Sequence, residues 1–194
     1  MLRSQMASIL DLILFLDQQY PCLPRELEQN LQQIYKSTRE VQLAKRSFKQ
    51  RLELQQLIHS IDSNIRQFVI LIGGTPLSID LSISFCFSSC QSSNSNESEK
   101  ENGFLTSRDL LTLKQVISTS DVFSVKSVTT RKKMWIYIDT SLGLEDPNWV
   151  FDRRFKLPSG QKQLSIFVGQ QENQEPHWYK CSVVVDSCPI ISNE

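Results

Sequence analysis

Two histidines, His59 and His177, and five cysteines, Cys22, Cys86, Cys90, Cys181 and Cys188, are the side chains from which general acid–base, nucleophilic or metal chemistry would have to be built. Such chemistry needs a second group that orients the first or shifts its proton affinity. His59 stands beside Leu57 and Ile58 in a long periodic stretch, and His177 precedes Trp178 at the edge of a predicted strand, so both read as packing or surface residues. Cys86-x3-Cys90 and Cys181-x6-Cys188 offer four thiolates, but structural zinc sites present paired cysteines from a tight knuckle, and these spacings do not make one. Gly73-Gly74 lacks both the Lys-Ser/Thr continuation of a phosphate-binding loop and the spacing of a dinucleotide fingerprint. The sequence reads as non-enzymatic, with no cofactor and no metal.

Two basic stretches carry the other chemistry. Residues 36–51 hold Lys36, Arg39, Lys45, Arg46, Lys49 and Arg51 against Glu40 alone, and Arg131-Lys132-Lys133 leads into Trp135-Ile136-Tyr137. Cations beside aromatics are what contact with phosphates and stacking on bases require. Over the whole chain, however, 21 basic side chains meet 21 acidic ones, so no net field draws a polyanion in. Trp135 and Tyr137, two apart on one strand, fit sheet packing better than base stacking.

The elements that would position these groups divide the chain in three. Residues 1–22 form a short amphipathic helix: Asp11 interrupts the apolar run and Asp17 follows it without a small-residue cleavage site, which opposes a leader peptide, and the run is too short to span a membrane. Residues 23–74 then contain no Gly or Pro between Pro24 and Gly73, enough for a helix of about 73 Å. Leu27, Leu31, Ile34, Val41, Phe48 and Leu52 follow alternating a and d positions, and Leu54, Ile58, Ile61, Ile65, Phe68 and Ile72 restart the pattern with regular 4-3 spacing. This predicts a long helix pairing through that seam with itself or with another chain, the competing reading being a helix, or a broken helix pair, packed on its own domain. The β-branched run from Phe68 to Ile72 carries a strand signal inside it.

Residues 75–194 read as a β-rich α+β domain. Leu77, Ile79, Leu81, Ile83, Phe85 and Phe87 alternate with small or polar residues, the mark of a half-buried strand. Residues 88–103 hold six Ser, three Asn and three Glu with no large apolar side chain, so they read as an exposed flexible loop, in which Ser98, followed by acidic residues, suits phosphorylation. A short helix capped by Thr106 or Ser107 follows, then strands at 122–128 and 134–138, a fold-back of 155–168 around Pro158-Ser159-Gly160, and a last strand at 177–185.

The fold class expected is thus α+β, with an N-terminal helical or coiled-coil segment followed by mainly antiparallel strands. Sparse, odd-numbered cysteines predict an intracellular chain, cytoplasmic or nuclear. The function expected is that of an adaptor subunit in a multiprotein complex, with other protein subunits as partners and no membrane association. Seam contacts would come from Leu27, Leu31, Ile34, Val41, Phe48, Leu52, Leu54, Ile58, Ile61 and Ile65. The alternative is nucleic-acid contact through Lys45, Arg46, Lys49, Arg131, Lys132 and Lys133.

Overall fold

The computed structural model describes residues 2–22, 24–61, 65–87, 107–123, 130–141, 143–159, 162–168 and 175–189. In chain order, helices α1 (Leu2–Leu16), α2 (Pro24–Ile34) and α3 (Thr38–Ser60) precede strands β1 (Ile65–Thr75) and β2 (Ser78–Phe87). Helix α4 (Ser107–Ser118) and a single 3₁₀ turn at Asp121–Phe123 lead to β3 (Lys133–Thr140), β4 (Trp149–Phe151), β5 (Lys162–Val168), β6 (Trp178–Cys181) and β7 (Val185–Asp186).

The single helix expected over 24–72 is corrected at two points. Ser37 starts a new helix: its hydroxyl accepts from the Glu40 main-chain N–H at 3.2 Å, and the Glu40 carboxylate accepts from the Ser37 N–H at 3.2 Å. This reciprocal capping satisfies donors that a helix start leaves unpaired. At the other end Ile61 turns extended, and 65–75 become a strand, the outcome favoured by crowded β-branched side chains.

The sheet has the order β4-β6-β3-β1-β2-β5, with β7 paired to β3 beyond the end of β6. All pairs are antiparallel except β2 with β5. The chain is therefore α+β, with a mostly antiparallel sheet of 7 strands among the described residues. The fold-back expected for 155–168 is corrected: among its described residues only 162–168 are strand, and they pair with β2 in parallel. The strand expected over 177–185 is two short strands; of the strand expected over 122–128, residues 122–123 belong to the 3₁₀ turn and the rest lie outside the described residues. The expected 88–103 loop, including Ser98 and Cys90, lies outside the described residues.

One face of the sheet carries Phe68, Ile70 and Ile72 of β1, Leu81, Ile83 and Phe85 of β2, and Met134, Ile136 and Ile138 of β3. These share one apolar core with Ile9, Leu10, Ile13 and Leu14 of α1 and with the inward residues of α2 to α4. The opposite face holds a second cluster, Val69, Leu71, Ile79, Trp135, Tyr137 and Trp178, with Phe155 stacked on Tyr137 at 3.9 Å between ring centres. Hence β2 is buried on both faces in its middle, with Ser82, Ser84 and Cys86 covered as well as the apolar series. At the β1–β2 connection a Cβ on Gly73 would lie 2.2 Å from the Ser78 carbonyl oxygen, so only glycine permits this approach.

Candidate interaction surfaces

The seam residues are gathered, but inside this chain. Leu27, Leu31, Phe48, Leu54, Ile58 and Ile61 are buried in the core between helices and sheet, and Ile34, Val41 and Ile65 are half-buried against it. Leu52, 47% exposed, is the one member left facing solvent. The stripe is therefore a core face of a helical layer, and Ile65 sits on a strand. Its spacing fitted a coiled coil because a helix lying on a sheet buries one narrow face in the same way.

A girdle of hydrogen bonds ties the C-terminal strand segment beneath that layer. The Tyr20 and Ser47 hydroxyls lie 2.7 Å apart, Ser47 donates to the Asp186 carbonyl, and Tyr35 donates to the Cys188 carbonyl. The Cys188 N–H donates to the Gln19 carbonyl at 3.0 Å, and the Lys132 N–H donates to the Ser187 hydroxyl at 2.7 Å. Burial pushes the Cys188 thiol up to about 11, against the opposing pull of the Tyr35 and Ser47 hydroxyls. Burial likewise raises Cys181 to about 11 and raises Cys86. Thiols so shifted remain protonated near neutrality and are poor nucleophiles and metal ligands. Cys86 lies across the sheet from Cys181 and Cys188, since it alternates with core-facing Phe85, so these three described thiols do not share one face, and Cys90 lies outside the described residues.

The histidines are equally separate. His59 is exposed near the end of α3, and His177 is exposed beside Phe151, their rings 6.4 Å apart. The buried carboxylate of Asp139 accepts the His177 main-chain N–H at 2.6 Å and the Arg66 guanidinium at 2.8 Å. Asp139 thus organises backbone and charge at the end of β3.

The six basic candidates divide. Lys132 turns to Asp17 at 3.2 Å and Asp80 at 3.6 Å; burial raises the Asp17 carboxyl, with Lys132 countering it. Lys45, Arg46 and Lys49 are exposed on α3, and Arg131 and Lys133 are exposed at the start of β3. Arg46 and Lys133, far apart in sequence, meet on one carboxylate: Arg46 Nε lies 3.6 Å and Lys133 Nζ 4.0 Å from Asp186. Asp186 is invisible to a reading confined to runs of like charge. Arg51, counted in the same basic stretch, instead clasps Asp11 of α1. Trp135 and Tyr137 are buried in the second cluster, where they pack in the sheet as expected and present no stacking platform.

A further surface lies at the β4 edge. Ser182 donates to the Asn148 carbonyl and Asp152 to the Trp178 carbonyl, both at 2.8 Å, and Val150 stands opposite Lys180. These alternate positions bond inward to β6, so Trp149 and Phe151 turn their main-chain groups outward. The Trp149 N–H is taken by the Asp146 carbonyl at 3.0 Å, and no strand lies outside β4 among the described residues. Val150 and Phe151 are 57% and 50% exposed. Glu145 is exposed before the strand, and Arg153, Arg154 and Lys156 are exposed after it.

No protein-family model matches the chain, and no curated protein matches it. Among the described residues, no helix is long and apolar enough to cross a membrane.

Proposed function

We propose that this chain is a non-enzymatic interaction subunit whose docking element is the open β4 edge of the sheet. The observation that carries the reading is the exposure of Val150 and Phe151 on the two sides of a strand with outward main-chain groups. An extended segment of another protein adds to such an edge through main-chain hydrogen bonds, while alternate side chains give selectivity. Acidic residues before β4 and basic residues after it suit a strand of opposite charge polarity. The partner is thus another protein subunit held at the sheet rather than through a helical seam. The free thiols Cys22, Cys86, Cys181 and Cys188 support a reducing intracellular setting, cytoplasmic or nuclear. Affinity capture from the native source should recover partners with the natural sequence and lose them with Val150→Lys/Phe151→Lys. Equal recovery by both, with the variant folded, would reject the edge as the docking site.

A second reading, nucleic-acid contact, is favoured by the convergence of Arg46 and Lys133 on Asp186, flanked by exposed Lys45, Lys49 and Arg131. Here the phosphates supply the affinity, because the aromatics of β3 are buried.

A further inference from the structure

We propose that Asp186 acts as an internal counter-ion of a phosphodiester-binding surface, holding Arg46 and Lys133 in the free protein and releasing them to the backbone of a nucleic-acid duplex. The inference rests on the second reading above and adds to it an autoinhibitory contact.

Asp186 is anchored through its main chain and one carboxylate bond, whereas its cations are not anchored in this way. The Asp186 N–H donates to Gln50 Oε1 at 3.0 Å, its carbonyl accepts from Ser47, and its carboxylate accepts from Gln50 Nε2 at 3.3 Å. By contrast, the Arg46 and Lys133 side chains are 69% and 53% exposed, and their separations from Asp186, 3.6 and 4.0 Å, are long for ion pairs. Exposed pairs of this kind are weak and screened by salt, so a denser array of negative charge can take over the cations.

A duplex supplies that array. Lys45 and Lys49 lie about one helical turn apart on α3, so with Arg131 they widen the surface beyond the two cations at Asp186. A repeating line of phosphates can engage several such points, whereas a single carboxylate engages one or two. Single-stranded nucleic acid would bring bases needing aromatic platforms, and Trp135 and Tyr137 are buried. The contact is therefore with phosphates and indifferent to sequence. Lys132, engaged by Asp17 and Asp80, stays outside it.

Fluorescence anisotropy of the full chain with a labelled DNA duplex of about 20 base pairs, between about 50 and 200 mM salt, tests the proposal. The natural sequence should bind in a salt-sensitive manner, and Asp186→Asn should bind about three- to tenfold more tightly, because the competing charge is gone while an amide acceptor for Gln50 remains. Asp186→Glu should restore the weaker binding, and Arg46→Glu/Lys133→Glu should lose binding at an unchanged melting temperature. Asp186→Ser serves as a second neutral variant if the Asn side chain disturbs β7. Equal affinity of the natural protein and both neutral variants would overturn the counter-ion role while leaving the nucleic-acid reading standing. No binding by any folded form at the lowest salt would overturn both. Polyglutamate competing as well as the duplex does would overturn the assignment to phosphodiesters.

Discussion

Arg66 at the start of β1 and Asp139 near the end of β3 form an ion pair at 2.8 Å, with side chains only 10% and 6% exposed. The same carboxylate oxygen holds the His177 main-chain N–H, so one buried charge fixes β1, β3 and the approach to β6. Removing one member of such a pair strands the other in low dielectric. Asp139→Ala should therefore cost about 3–5 kcal/mol in chemical denaturation. The apolar double variant Arg66→Met/Asp139→Leu should be less destabilised than the sum of Arg66→Met and Asp139→Leu; a double variant as unstable as that sum would show that the pair is not coupled.

The helical stripe gives a prediction with opposite outcomes at neighbouring positions. Ile58 is fully packed between α3 and the sheet, so Ile58→Ala should lose about 2–5 kcal/mol of stability. Leu52 is on the same helix but faces solvent, and Leu52→Lys should change stability by less than about 0.5 kcal/mol. Sedimentation should show the same mass for the natural protein and for Leu52→Lys. Dissociation of an oligomer by Leu52→Lys would revive a seam between chains.

How far the sequence can be read is clearest at the ends of α3. The pattern Ser37-Thr38-Arg39-Glu40 is a capping signature in its own right, yet the long stretch without Gly or Pro around it masks the helix start. The β-branched run at 68–72 signals its strand correctly, while the heptad spacing conceals that Ile65 starts it. From Leu81 to Phe85 the alternation in β2 shows which residues face the helices, but Leu77 is exposed in the turn, Ile79 joins the opposite face across the register shift, and the burial of Ser82 and Ser84 depends on layers assembled from distant segments. The same holds for β5, whose parallel pairing to β2 no local pattern encodes. At the surface, runs of like charge locate the cations, but only the fold shows that Arg51 and Lys132 are committed elsewhere and that Asp186 joins Arg46 to Lys133.

Gly73 lies where β1 and β2 change register, and its missing side chain is what lets the strands approach. A methyl group there would meet backbone, the Ser78 carbonyl oxygen and the Ile79 Cα at 2.8 Å, and backbone cannot rotate aside. Gly73→Ala should destabilise by at least about 1–3 kcal/mol through forced separation of the hairpin. Gly74, which has open space around its position, serves as the control, and Gly74→Ala should have a much smaller effect on the melting temperature.

The buried thiols make alkaline stability predictable in sign. In the unfolded chain Cys181 and Cys188 ionise near the ordinary value of 9.0, whereas burial in the native protein raises both to about 11. Between these values the native state holds protons that the unfolded state has released, so rising pH favours unfolding. The contribution is complete below pH 9 and is lost progressively as pH climbs to about 11, by about 2–3 kcal/mol for each thiol. Tyr20 and Tyr35, raised chiefly by burial, add to the loss above their ordinary value of 10.0. Urea midpoints should accordingly fall from about pH 8.5 to about 11 more steeply in the natural protein than in Cys181→Ala/Cys188→Ala, whose curves should run flatter even if they start lower. Parallel curves would show that these thiols ionise no later in the folded chain than in the unfolded one.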